Sequence, residues 1–152
     1  MPYTTADARQ QLLDTLAEAA QALGAALASL SEAYEQLDEG NADAVEEQLF
    51  RPVQMAYGRA RRAHAGFAER HDLPGRTFEP AIAGAPSRGV KGFLESAVQA
   101  IGDADRLLVT LQDSMLPIEV GDAELRADLE QVRSLLDGLS TRAHGIVRTF
   151  GR

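Results

Sequence analysis

The residues best equipped for chemistry gather in one stretch of the chain. Arg59, Arg61, Arg62, His64, Arg70 and His71 follow one another along a single segment. A guanidinium group grips phosphate or carboxylate through paired N–H donors, and an imidazole titrates near neutral pH. Arg59, Arg62, His64 and Arg70 are therefore the candidate residues for binding a small anionic or phosphorylated ligand. His64 is also the one evident candidate for moving a proton. The opposing account is charge balance, in which Arg59 and Arg62 pair with acids of neighbouring helices such as Asp105.

Other chemistries are excluded by what is missing. The chain has no cysteine, which removes thiolate nucleophiles, disulfides, thiolate metal sites and covalently attached haem. It also has no Gly-x-Ser-x-Gly, Gly-x-x-x-x-Gly-Lys or Gly-x-Gly-x-x-Gly motif, so neither a serine elbow nor a phosphate loop is indicated. His64 and His71 are two helical turns apart, about 10 Å along the axis, which is too far to grip one ion. Di-iron bundles need Glu-x-x-His pairs, and none occurs. Glu32-x-x-Glu35-x-x-Asp38 resembles the acidic helix motif of all-helical nucleotide pyrophosphatases, a resemblance that implies inward, magnesium-binding carboxylates, but the helical frame turns both glutamates to water. His144 takes an outward position too. Gly84 to Gly89 would present amides at a helix start, where an anion is favoured, and a capped helix explains that stretch as well. No catalytic residue, no metal and no cofactor is assigned.

Long helices must carry these side chains. Ala and Leu supply 45 of the 152 residues, and aromatics are only 5%, a mixture that favours helix over sheet. Apolar residues alternate three and four apart at Leu13, Leu16, Ala20, Leu23, Leu27 and Leu30, which is the seam of a left-handed bundle. The same spacing predicts helices over about 5–38, 43–71, 88–115 and 122–150. Thr4 with Asp7 is the expected first cap, Gly40 the expected stop, and Val120 with Leu125 a staple at the fourth helix. Pro52 lies inside the second helix and predicts a kink or break there. Beside that helix's seam, Phe50, Tyr57, His64 and His71 repeat every seven residues and widen the buried face.

The fold class is all-α, a single domain, expected as an antiparallel up-down-up-down four-helix bundle. Its long loop from Asp72 to Pro86 would fold over one end, with a crossover along the bundle as the alternative. In the simple order Ala20, Ala60, Ala97 and Ala143 share one level, where helices approach closely or a ligand cavity opens.

Charge is uneven along the chain. Residues 1–50 carry −9, residues 51–91 carry +5 and residues 92–152 carry −4, giving the net −8. That balance argues against nucleic acid and against an anionic membrane as partners. The first residues lack the basic and apolar regions of a signal peptide, so a soluble cytoplasmic protein is expected. The leading functional reading is a non-enzymatic helical module that associates with itself or with another protein. Leu116, Ile118, Val120, Phe78 and Ile82 would form apolar end patches for that contact. The alternative is a small anionic ligand held by Arg59, Arg62, His64 and Arg70 beneath the 72–86 loop.

Overall fold

The structure, a computed structural model, describes residues 5–79, 81–83 and 89–150. It is all-helical, with no strand among the described residues. Thr4, and the Gly84–Arg88 part of the glycine-rich stretch, lie outside the described residues, as does the side chain of Phe150.

The first helix, α1 (Thr5–Gln36), buries Leu13, Leu16, Ala20, Leu23 and Leu30 of the expected seam, leaves Leu27 half-buried and Tyr34 exposed, and buries a second stripe beside it. Leu12, Ala19, Ala26 and Ala33 repeat every seven residues and are all buried. The extra stripe exists because α1 packs against two long neighbours, and its alanines let one of them come close. The chain then turns within Leu37 and Asp38. The Asp38 carboxylate accepts the Asn41 amide at 2.9 Å and caps α2 (Glu39–Val45). Gly40, expected as a stop, therefore sits inside a helix.

A π-helical turn over Glu46–Phe50 joins α2 to α3 (Arg51–Arg70), and the backbone stays right-handed helical across both junctions. The Arg51 amide donates to the Glu46 carbonyl, five residues back. Pro52 has no N–H, and its ring presses on the carbonyl four residues earlier. A wider turn placed just before it relieves that crowding. The helix thus runs on through Pro52, with a π turn just ahead of the point where a kink or break was expected. At its other end α3 stops in a Schellman motif: Leu73 donates to Ala68 at 2.8 Å and Asp72 to Glu69 at 3.3 Å, with Asp72 left-handed at φ 53°.

Beyond it come α4 (Gly89–Asp113), α5 (Leu116–Val120), α6 (Ala123–Leu136) and α7 (Leu139–Phe150). The stretch expected as one helix over 122–150 is divided at Asp137 and Gly138, where glycine takes φ +72°. The apolar seam survives the break, since Leu136 and Leu139 are both buried. Leu116 and Pro117, expected in a connection, start a short helix and are buried.

The order of the helices differs from the up-down-up-down expectation. α1 packs on α3 and α4, α3 packs on α6, and α4 packs on α7. Arg70 at the end of α3 meets Asp122 just before α6, so these two helices run in opposite directions. The expected order would have made them parallel. The connection after α3 climbs back along its side, with Phe78 edge-on to His64 at 5.3 Å. Ala81–Ala83 lie across from Leu27, Ser31 and Tyr57. This strap, residues 72–79 and 81–83, carries the chain to the end where α1 finishes, and α4 descends from there alongside α1. The order is up-down-down-up, and the loop runs along the helices instead of over one end. Reach explains why this is available: 15 extended residues span about 50 Å, against about 30 Å for the 20 residues of α3. It also makes each of the four packed pairs antiparallel. The common level of Ala20, Ala60, Ala97 and Ala143 rested on the other order; all four are buried.

One backbone feature yields a test. Met115 holds φ 67° and is 50% exposed, so its side chain contributes little burial to offset a left-handed backbone. Met115→Gly should raise stability by about 0.5–1 kcal/mol, seen as a rise in Tm of about 2–4 °C.

Candidate functional site

The four residues put forward from sequence sit on one helix and do not converge. Residues 59 and 70 fall on one face of α3, whereas residue 64 falls on nearly the opposite face. An Arg59 N–H donates to the Gln131 side-chain carbonyl of α6. Arg70 forks onto Asp122, with Nε to Oδ2 and a terminal nitrogen to Oδ1, both at 2.9 Å. Arg62 is exposed on the outer face. His64 is 2% exposed and turned toward α1 and the strap. Asp105, offered as a partner for Arg59 and Arg62, is faced instead by Arg133 at 3.8 Å.

Asp122 is the residue that sequence reading missed. It is 8% exposed and caps α6 by accepting the Leu125 amide at 2.8 Å. His71 Nε2 lies 2.8 Å from Oδ2, and a further Arg70 nitrogen lies 3.1 Å from Glu124. Burial alone would push the Asp122 carboxyl up, but hydrogen bonds from Arg70, the Leu125 amide and His71 outweigh it and lower its pKa to about 2. The hydrogen bond to Asp122 in turn raises the Arg70 pKa. The His71 ring lies 4.3 Å from that of Phe67. With both carboxylate oxygens shared in this way, the group acts as a clamp between the end of α3 and the start of α6. The one signal for it in sequence was local: an aspartate directly ahead of a helix is a cap.

On the opposite side of α3 the strap builds a second cluster. The Arg76 guanidinium lies over the Phe78 ring at 5.1 Å, and Phe78 meets His64. Burial lowers the His64 pKa, Arg76 lowers it further, and Asp14 on α1 opposes them.

Above this cluster a groove follows the seam between α1 and α2–α3. Tyr57 lies close against α1 because Gly24 has no side chain; a Cβ there would stand 3.3 Å from the ring. Arg61 covers the same ring at 4.5 Å. These residues join Leu27, Ser31, Glu32, Phe78 and Ile82 around an open cleft of about 630 Å³. A smaller cleft of about 240 Å³ continues it, lined by Ser31, Tyr34, Glu35, Glu46 and Phe50. Ser31 belongs to both, and the π turn supplies the far wall through Glu46 and Phe50. Beside α5 and α6, Pro117, Ile118, Arg126 and Arg133 border a cleft of about 490 Å³. Of the apolar end-patch residues, Ile82 is 96% and Ile118 54% exposed, whereas Leu116 belongs to the core.

Among the described residues no three His, Asp or Glu side chains gather as a metal-binding group. Among them also, no helix is long and apolar enough to cross a membrane.

The clamp can be tested directly. Asp122→Ala removes a cap and the fork on Arg70, leaving that arginine only Glu124 among the described residues as an ion-pair partner, so it should cost about 2–4 kcal/mol in denaturant unfolding. Asp122→Asn should cost less, because an amide oxygen still caps α6. The stabilisation from this carboxylate is complete above its ordinary value of 3.8 and is lost as pH falls toward about 2. Acid unfolding of Asp122→Asn should therefore show a shallower slope across that range.

Comparison of the chain with protein-family models, with curated proteins and with solved structures finds no match.

Proposed function

We propose that the chain is a four-helix bundle of up-down-down-up order that works without catalysis, by associating with a second copy of itself. The observation that carries this reading is the groove between α1 and α2–α3. Its floor and walls include Tyr34, Phe50 and Tyr57, and its edge carries Glu32, Glu35 and Glu46. The outer face of α3 offers a surface of opposite character. Arg51, Met55 and Arg62 are all exposed, and their spacing places them on one stripe. Met55 is 59% exposed, an apolar centre between two cations.

A basic stripe with an apolar centre complements an acidic groove with an aromatic floor. The charges steer and set register, while the apolar groups supply the area removed from water. Groove and stripe occupy different faces of the same molecule. Their pairing is therefore heterologous, and it builds a ring or a growing chain, not a simple two-fold dimer.

A second reading is favoured by the cleft of about 630 Å³ beneath the strap, a volume suited to a small ligand. In that version Arg61, which lines the cleft, receives the anion in place of Arg59, Arg62, His64 and Arg70.

Sedimentation velocity from micromolar to sub-millimolar protein separates these readings. Self-association should give species that grow with concentration and shrink at high salt. Arg51→Glu/Arg62→Glu should abolish that growth. Mixing this variant with Glu35→Arg/Glu46→Arg should restore pairing through the exchanged charges. A single monomeric species at every concentration overturns the proposal. For the second reading, pyrophosphate at 100 times its dissociation constant should add about 2.7 kcal/mol of stability, and Arg61→Ala should remove the effect.

A further inference from the structure

His64 is buried to 2% exposure, yet one wall of its site is a segment without helix or strand. The contact between them is specific. Phe78 stands at 85° to the imidazole with ring centres 5.3 Å apart, and Arg76 stacks over Phe78 at 5.1 Å. The strap therefore carries one aromatic anchor, and that anchor rests on a titratable ring.

We propose that His64 is a proton-operated latch for the strap: the neutral imidazole seats Phe78, and protonation releases residues 72–79 and 81–83 from the groove beside α1 and α3. Each element around the ring contributes to the balance. The strap brings Arg76, whose positive charge opposes an imidazolium, and α1 brings Asp14, which favours one. On α3 itself Arg62 is exposed on the outer face, and Arg61 is turned over the Tyr57 ring. Burial and Arg76 together prevail over Asp14, so the seated ring resists the proton.

The direction of the pH effect follows from that resistance. A released strap leaves His64 in water, where it takes up a proton near its ordinary value of 6.5. The hold is complete above that pH and weakens as pH falls below it. The weakening stops once the seated ring is protonated too. Each tenfold difference in proton affinity between the two states gives a tenfold change in opening. Release would lift Phe78 and Ala81–Ala83 away from Leu27 and Tyr57. As regulation of association this rests on the groove reading; as a latch it can be observed without a partner.

Hydrogen–deuterium exchange of the full chain, read by mass spectrometry and corrected for intrinsic rates, tests it. Going from about pH 7.5 to about pH 5, exchange in 72–79 and 81–83 should rise by the factor by which seating lowers the proton affinity of His64, while α6 stays unchanged. His64→Leu should remove the rise, and Arg76→Gln should reduce it, because the seated ring then resists the proton less. Should His64→Leu fail to fold, wild type against Arg76→Gln decides. NMR titration of the imidazole should place it below 6.5. Strap exchange indifferent to pH overturns the latch. So does an imidazole that titrates above its ordinary value, which would mean that Phe78 favours the cation. A strap that opens in acid on a chain that never associates keeps the latch and removes the groove proposal. A chain that associates while its strap ignores pH does the reverse.

Discussion

The fold depends on α1 having two buried stripes where a surface helix needs one. Leu16, Leu23 and Leu30 form the first; Leu12, Ala19, Ala26 and Ala33 form the second. A fully buried leucine contributes about 1.5–3 kcal/mol, so each stripe must be covered. α3 and α4 provide that cover. With α4 taking one side and α3 the other, α6 and α7 are left to close the remaining sides. The strap lies over the seam between α1 and α3 because its own apolar residues, Phe78 and Ala83, pack against the core there.

The clamp at Asp122 then fixes one end of this arrangement. Polar groups buried in a helical core are costly unless each is paired. Here the cost is offset by four donors on one carboxylate. His64, the other buried ionisable side chain among the described residues, is handled in the opposite way, by a pKa pushed down. Two ionisable groups near the same helix are thus tuned in contrasting directions: one is held charged by its partners, the other is kept uncharged by burial and a nearby arginine.

The helices were legible in the sequence because their signal is periodic and local. Leucine and alanine spacing located α1, α4 and the seam shared by α6 and α7 to within a few residues, and read as one helix over 43–71 the stretch that divides into α2, the π turn and α3. The breaks at Leu37–Asp38 and Asp137–Gly138 were less legible, since an Asp cap and a Gly both recur in places where no helix ends. Helix order was not legible. Sequence periodicity is identical for a strap that crosses the bundle and a loop that caps it, and only long-range packing separates them. The same limit hid the candidate site. Arg59, Arg62, His64 and Arg70 are close in sequence, but 3.6 residues per turn distributes them around α3. Asp122 lies far from Arg70 in sequence, and no local pattern announces such a pair.

The crossover also governs how the chain can acquire its structure. In a bundle of simple hairpins each helix finds a partner as soon as the next one is made. Here the most extensive contact of α1 is with α4, so a large loop must close before the core is complete. Loop closure of that kind slows folding and leaves apolar surface uncovered in the meantime. During synthesis from the N-terminus, α1 and α3 meet first, with the alanine stripe of α1 still in water. An incomplete chain at that stage is a sticky hairpin, and the delay until α4 arrives is the interval in which this protein would most need a chaperone.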